Sequence, residues 1–348
     1  MLKSFFMTKQ YAPFAWSIGL VIGFLSWYSV EMAVALNQWN REIYDTLQSL
    51  NEAKFWDLLL GWDWNTLSQF VTLQKDLVKD VPIIPSLVQY IVFYIPIAVA
   101  FTWIVQRYLF KWRQANTEHY LRRWENCNTP IEGASQRIQE DLAKFGKTLE
   151  GLAVNALKSV LTLLAFIPIL WTLSEGLPIF NGQFIPGFLV WIALAMSIGG
   201  TLISVIVAWK LPSLEFNNQV VEAKFRKQLV LGEDDIKARI IGDLFPMFDS
   251  VRRNYYKLFN WYLGLSIWQT AFGILLGNVA LIALAPSFFA QLITLGVFFQ
   301  VLNAFGRVEA SMTFFVDSWS VIVEFMSVVK RLRQFNKALD EDEANGRK

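Results

Sequence analysis

Apolar residues in this chain fall in long, nearly unbroken runs separated by charged stretches. The runs at 13–36, 86–110, 151–174, 188–209 and 258–284 each match or exceed the roughly 20 residues a helix needs to cross a hydrocarbon core. A sixth run starts near Phe288, spans to about residue 310 and stays apolar past Arg307 and Glu309. It predicts one long helix that leaves the membrane and ends near Ala338. Residues 339–348 (DEDEANGRK and the residue before it) read as a disordered tail. The pattern predicts an all-α polytopic membrane protein, with residues 1–338 forming a single transmembrane domain of six spans.

The segments between the runs differ in kind. The segment from Asn37 to Pro85 is polar, acidic and rich in tryptophan (Trp39, Trp56, Trp62, Trp64), which suits helices lying at an outer membrane surface. The stretch from Gly176 to Gly187 has no charge and reads as a short turn, and a tight turn is expected at Ala285–Ser287. Residues 111–149 and 210–257 are long, charged and helical in spacing. Pro96 and Pro168 fall inside spans, where neighbouring helices can satisfy the freed carbonyls. The Gly199-Gly200 pair permits a close helix contact.

Lysine and arginine counts orient the chain. The first, third, fifth and seventh segments carry 2, 8, 9 and 6, counting Arg107 with the third, against 4, 0 and 0 in the second, fourth and sixth. The basic segments face the cytoplasm, so both termini are expected there, together with the two long charged loops. Six spans with two long helical cytoplasmic extensions resemble the layout of an ABC-exporter membrane domain, an architectural analogy that carries no function by itself.

Composition adds a few exclusions. Apolar residues make up 54% of the chain and charged residues 17%, with a mean hydropathy of +0.36, which leaves little room for a separate soluble domain. Cys127 is the only cysteine and His119 the only histidine. An internal disulfide is therefore excluded, and a histidine-based metal site or catalytic triad is not expected. No cofactor is implied. A net charge of +2 gives no ground for a nucleic-acid partner. The first apolar run is long enough to span and lacks a small-residue cleavage pattern, so no cleavable leader is expected.

The chemistry is concentrated in carboxylates near the ends of spans. In LPSLEFNNQVVEAKFRKQLVLGEDD (211–235), read as a helix, Glu215, Glu222 and Glu233 fall within roughly 20° of one line. A solvated helix face is the plainer reading, since Glu222 stands one turn before Arg226 and could pair with it. Gly146-Lys147-Thr148 resembles the end of a phosphate-binding loop. Asp141 stands where that loop needs its first glycine, and the surroundings read as a charged helix, so no nucleotide site and no enzyme activity are expected.

Several stretches together carry a resemblance to a known family. They are FKWRQANTEHY, EGASQRIQEDLAKFGKTLEGL, LTLLAFIPILWTLS and KLPSLEFNNQVVEAKFRKQLVLGEDD, with looser matches in NAFGRVEASMTFFVDSWSVIVEFMSVVKRLRQF and VEMAVALNQWNREIYD. Their order and content resemble the SbmA/BacA family of bacterial inner-membrane peptide transporters. The resemblance implies a homodimeric, exporter-shaped importer without a nucleotide-binding domain. It would take up peptides and peptide-like antibiotics through the bilayer, coupled to protons. It places the family's important glutamates at Glu140, Glu150, Glu222 and Glu233. The chain departs from the family at Gln228, where a glutamate is common, and at Glu309 and Asp317. It also starts at what would be the family's second span.

Further candidates for the cavity are Glu215, Lys158 (about two turns beyond Glu150), and Asp317 with Glu324, seven apart on the expected sixth helix. For that last pair a solvated cytoplasmic face is an equal reading. His119 reads as a solvated helix residue. Three functions stay open on the sequence: a proton-coupled peptide importer, the membrane subunit of an ATP-driven transporter whose ATPase is a separate chain, and a non-transporting scaffold or lipid-handling protein.

Overall fold

The computed structural model describes residues 2–72, 84–127, 130–131, 133–175, 177, 185–234 and 241–345. Among these every regular element is helical. The elements are α1 (Leu2–Phe6), α2 (Ala12–Gln48), α3 (Glu52–Leu60), α4 (Trp64–Val71), α5 (Leu87–Glu125), α6 (Ala134–Gln136), α7 (Leu142–Ser174), α8 (Phe188–Ala208), α9 (Leu211–Asp234), α10 (Ile241–Phe289), α11 (Leu295–Asp317) and α12 (Trp319–Asn345). A π-helical turn at Arg137–Asp141 joins α6 to α7.

Five helical runs are long and apolar enough to cross a membrane: Ala12–Gln48, Leu87–Glu125, Ala134–Ser174, Phe188–Ala208 and Leu244–Phe289. They coincide with the first five apolar runs of the sequence. The sixth expected span, α11, is not among them, because Gln300, Asn303, Arg307 and Glu309 interrupt its apolar run. Pro96 and Pro168 lie inside α5 and α7 without ending either helix.

Several boundaries differ from the sequence pattern for local reasons. The first span continues as one helix through Gln48, where a separate surface segment was expected from Asn37. The turn expected at Ala285–Ser287 is still helix. The chain reverses after Phe289 instead, at Gln291, whose φ is +56° and whose neighbour Leu292 donates its N–H to the Ser287 carbonyl at 3.0 Å. The long last helix breaks at Ser318 into α11 and α12. The tail expected to be disordered from residue 339 is helical to Asn345, held by side-chain bonds from Arg123 to Asp340 and Glu343. The turn expected at Gly176–Gly187 lies largely outside the described residues.

The chain divides into two compact units: Met1–Trp191 with Leu284–Lys348, and Ile192–Ala283. In the first unit α11 packs against α2 and α7, and α5 packs against α2 and α7. The contact between α2, α7 and α11 is closed by Phe166, Leu170, Val301, Ala304 and Val308, all fully buried. A second cluster, around Phe5, Tyr11, Tyr108 and Leu109, ties α1 and the start of α2 to α5. A third, on the helices beyond the expected membrane boundary, joins Tyr120, Leu142, Phe145, Leu332, Phe335 and Leu339. The short helices α3 and α4 begin at proper caps. Asn51 accepts from the Lys54 N–H, and Asp63 accepts from the N–H groups of Asn65 and Thr66. Trp56 on α3, Trp64 on α4 and Trp62 between them are exposed.

In the second unit a close approach explains one glycine. A Cβ at Gly200 would sit 2.1 Å from the Phe272 ring, whereas Gly199 has open space around it. The Trp268 indole N–H donates to the Ser204 hydroxyl at 2.9 Å, and the Asn254 amide donates to Asn218 at 3.2 Å.

Candidate functional site

A cavity of about 310 Å³ opens between α2, α5 and α7. α2 contributes Ser29, α5 contributes Tyr94, Phe101 and Thr102, and α7 contributes Glu150, Asn155 and Lys158. On α7 Lys158 stands eight residues after Glu150, about 80° around the helix from it. Glu150 is half-buried just before the first residue of the expected third span. Lys158 is also half-buried, with its ammonium 4.2 Å from the centroid of the Phe101 ring. Among the described residues no ion pair joins Lys158 to a carboxylate, and none joins Glu150 to a cation.

The remaining sequence candidates fall elsewhere. Glu140 lies in the π-helical turn, exposed, and accepts from the Gln136 amide at 3.2 Å. Three candidates belong to the second unit. Glu215 accepts a hydrogen bond from the Tyr262 hydroxyl at 2.7 Å. Glu222 is half-buried on α9 and makes no ion pair with Arg226 among the described residues. Glu233 is exposed in the last turn of α9. Asp317 ends α11 and is exposed, whereas Glu324 stands on α12 and its side chain lies outside the described residues. The break at Ser318 means these two do not share one continuous helix face. Gly146-Lys147-Thr148 lie inside α7, so the backbone N–H groups a phosphate loop would present are committed to helix bonds. No group of three or more metal-ligating side chains gathers among the described residues.

The structure also shows ion pairs that the sequence did not reveal. Asp141 is 3% exposed and lies between two arginines. Arg331 Nη2 donates to Oδ1 at 2.7 Å and Arg137 Nη1 donates to Oδ2 at 2.9 Å. Burial opposes ionisation of this carboxyl, but the hydrogen bonds and charges of Arg331 and then Arg137 outweigh it and hold the carboxyl below its usual range. Arg123 likewise bonds Asp340 and Glu343, both at 2.6 Å, and Asn336 at 2.8 Å. The i, i+4 spacing of Arg137 and Asp141 was visible in the sequence. Their partner Arg331, on another helix, had no sequence signal. A larger cavity of about 930 Å³ lies beside these charged helices, bordered by Trp112, His119, Arg123, Phe145, Phe325 and Arg333. The acid on its border, Asp340, is already paired with Arg123.

Several apolar helices of spanning length, with ionisable side chains in a cavity among them, define a multi-pass helical membrane protein. The chain belongs to the SbmA/BacA-like family, whose family model matches residues 8–340. It is 26% identical to the inner membrane ABC transporter ATP-binding protein YddA of Escherichia coli (strain K12), over 99% of this chain and 61% of that protein. It is 27% identical to an uncharacterized ABC transporter ATP-binding protein of Synechocystis sp., over 72% of this chain and 39% of the relative. It is also 27% identical to the ABC transporter D family member 2, chloroplastic, of Arabidopsis thaliana, over 67% of this chain and 33% of the relative. The chain thus spans between a third and about three fifths of these relatives' lengths. The family and these relatives place it among membrane transport proteins.

Proposed function

We propose that this protein is a proton-coupled importer of peptides and peptide-like antibiotics in the bacterial inner membrane. It works as a homodimer by alternating access, with six spans per protomer in an exporter-like arrangement, both termini cytoplasmic and no enzymatic activity of its own. The observation that carries this reading is Glu150, a half-buried carboxylate with no ion pair among the described residues, lining a cavity among spanning helices. Ionisable groups at membrane depth face water-filled cavities or partners, because facing lipid is costly. A proton carrier must gain and lose its proton within the cycle, which needs desolvation or like-charge repulsion that changes between states. A cavity that opens alternately to two sides supplies different amounts of both. Glu222 on α9 is the matching candidate in the second unit, with Glu140 and Glu233 nearer the cytoplasmic end.

A second reading is an ATP-driven transporter in which this chain is the membrane part. It is favoured by the relatives' names, which include ATP binding, and by their greater length. One experiment separates the two. Labelled cationic peptide is offered to proteoliposomes with an imposed pH gradient and no nucleotide. The first reading expects gradient-dependent uptake that Glu150→Gln and Glu222→Gln each abolish while the protein still folds and dimerises. Uptake that ignores the gradient but appears with ATP and a stoichiometric ATPase partner would replace it with the second. Wild-type uptake in both variants would remove the carboxylates from the mechanism.

A further inference from the structure

Lys158 is the only charged residue between Glu150 and Glu175 in the sequence. Its position inside the third span is therefore costly unless an anion or water meets it. The Phe101 ring at 4.2 Å attracts the ammonium but does not neutralise it, and no described carboxylate pairs with it. Glu150 and Lys158 nevertheless line the same cavity, both from α7 and eight residues apart. Eight residues at about 1.5 Å rise separate their Cα atoms by about 12 Å along α7. Thr102 and Asn155 add polar atoms to the lining, and Phe101 and Tyr94 add aromatic walls.

Such a cavity is the complement of a zwitterion. We infer that Lys158 is a specificity-determining residue that receives the C-terminal carboxylate of a short peptide whose N-terminal ammonium meets Glu150. An extended chain advances about 3.3–3.6 Å per residue, so a separation of about 12 Å suits three to four residues. This deepens the peptide reading above and rests on it for the class of substrate. Glu150 alone would select any cation. With Lys158, the cavity selects a free C-terminus as well, and amidated or cyclised peptides lose the second contact.

The test is equilibrium binding of tritiated trialanine and of its C-terminal amide to the purified full chain in neutral phosphatidylcholine nanodiscs, without a gradient. The native protein and Lys158→Arg are expected to bind the free acid about tenfold or more tighter than the amide, the order of one charge-assisted hydrogen bond. In Lys158→Gln the two affinities should converge by weakening of the acid. Equal affinities in the native protein, as follows if Lys158 instead holds a lipid phosphate, overturn the inference. So does a preference that survives in Lys158→Gln, and so does native protein that binds neither peptide. Binding is read without transport, so an acid preference that depends on Lys158 supports the inference even if pH-driven uptake fails, and that failure would count against the coupling alone.

Discussion

Asp141 and Glu150 stand about 14 Å apart along one helical run, and they have opposite surroundings. Asp141 is almost fully buried and bonded by Arg137 and Arg331, whereas Glu150 is half-buried, has no ion pair among the described residues and lines a cavity. Nearness to the membrane does not by itself separate a carboxylate held by arginines from the one proposed to carry protons. The difference comes from α12, which carries Arg331 to Asp141 and brings no cation to Glu150. A carboxylate already bonded by two arginines has little freedom to exchange protons at neutral pH. Glu150, with no ion pair among the described residues, lines a cavity instead.

Exchanging the two losses should break this comparison most visibly. Glu150→Gln is expected to abolish gradient-driven uptake and leave the melting temperature in detergent nearly unchanged. Asp141→Ala is expected to do the reverse in kind, lowering stability by about 2–4 kcal/mol. That is the range for removing one partner of a buried pair, taken low because both arginines keep part of their surface in water. If Asp141→Ala melts like wild type, or if Glu150→Gln melts several degrees lower, the division of roles is wrong.

A third carboxylate sharpens the contrast. Asp45, on α2, accepts the Gly296 N–H at 2.9 Å, and Gln48 accepts the Leu295 N–H at 2.7 Å, so α2 caps the first turn of α11. A Cβ on Gly296 would fall 2.1 Å from the Arg41 carbonyl oxygen, which is backbone and cannot swing aside. Gly296→Ala should therefore push the two helices apart and cost about 1–3 kcal/mol in thermal unfolding. Asp45→Asn keeps an acceptor for the cap and should cost less than half of that. Equal stability of Gly296→Ala and wild type would show that the junction yields more easily than its packing implies. By comparison Glu343→Gln, which removes one of two exposed acids around Arg123, should change stability by less than about 1 kcal/mol.

The five apolar runs were legible because lipid imposes the same demand on every residue of a span, and length and hydropathy record it directly. α11 was less legible, since Gln300 bonds Gln38 across the helix contact and Arg307 stacks over Phe166, so its polar residues are absorbed by packing rather than marking the end of a span. Lys158 could be singled out because it interrupts an apolar stretch, whereas Glu150, just before that stretch, was marked by the family resemblance. The Asp141–Arg331 pair and the Arg123–Asp340 pair could not, because their partners come from helices distant in sequence. The helical tail was missed for the same reason: DEDE reads as solvated until Arg123 is placed beside it.

The smallest expected effect is a pH dependence that separates His119 from Asp141. Burial, then the charge of Arg123, lowers the His119 pKa, against the opposing pull of Glu343 and Asp340. The folded protein therefore holds this imidazole neutral where the unfolded chain, with a pKa of about 6.5, would bind a proton. Its contribution to stability is present above about pH 6.5 and is lost as pH falls toward the lowered folded value, because the unfolded state then binds more protons. Asp141 is also depressed, but relative to an unfolded value of about 3.9, so its contribution is intact throughout that window and fades only in stronger acid. Between pH 7.5 and 5.5 the two groups thus separate: His119 titrates and Asp141 stays silent. Wild-type protein should lose stability on acidification with a slope below about 1.4 kcal/mol per pH unit from this one proton. His119→Gln should flatten that part of the slope, and Asp141→Ala should lower the whole curve without changing its shape. Parallel curves for wild type and His119→Gln would mean that this imidazole is hydrated and carries no linkage to folding.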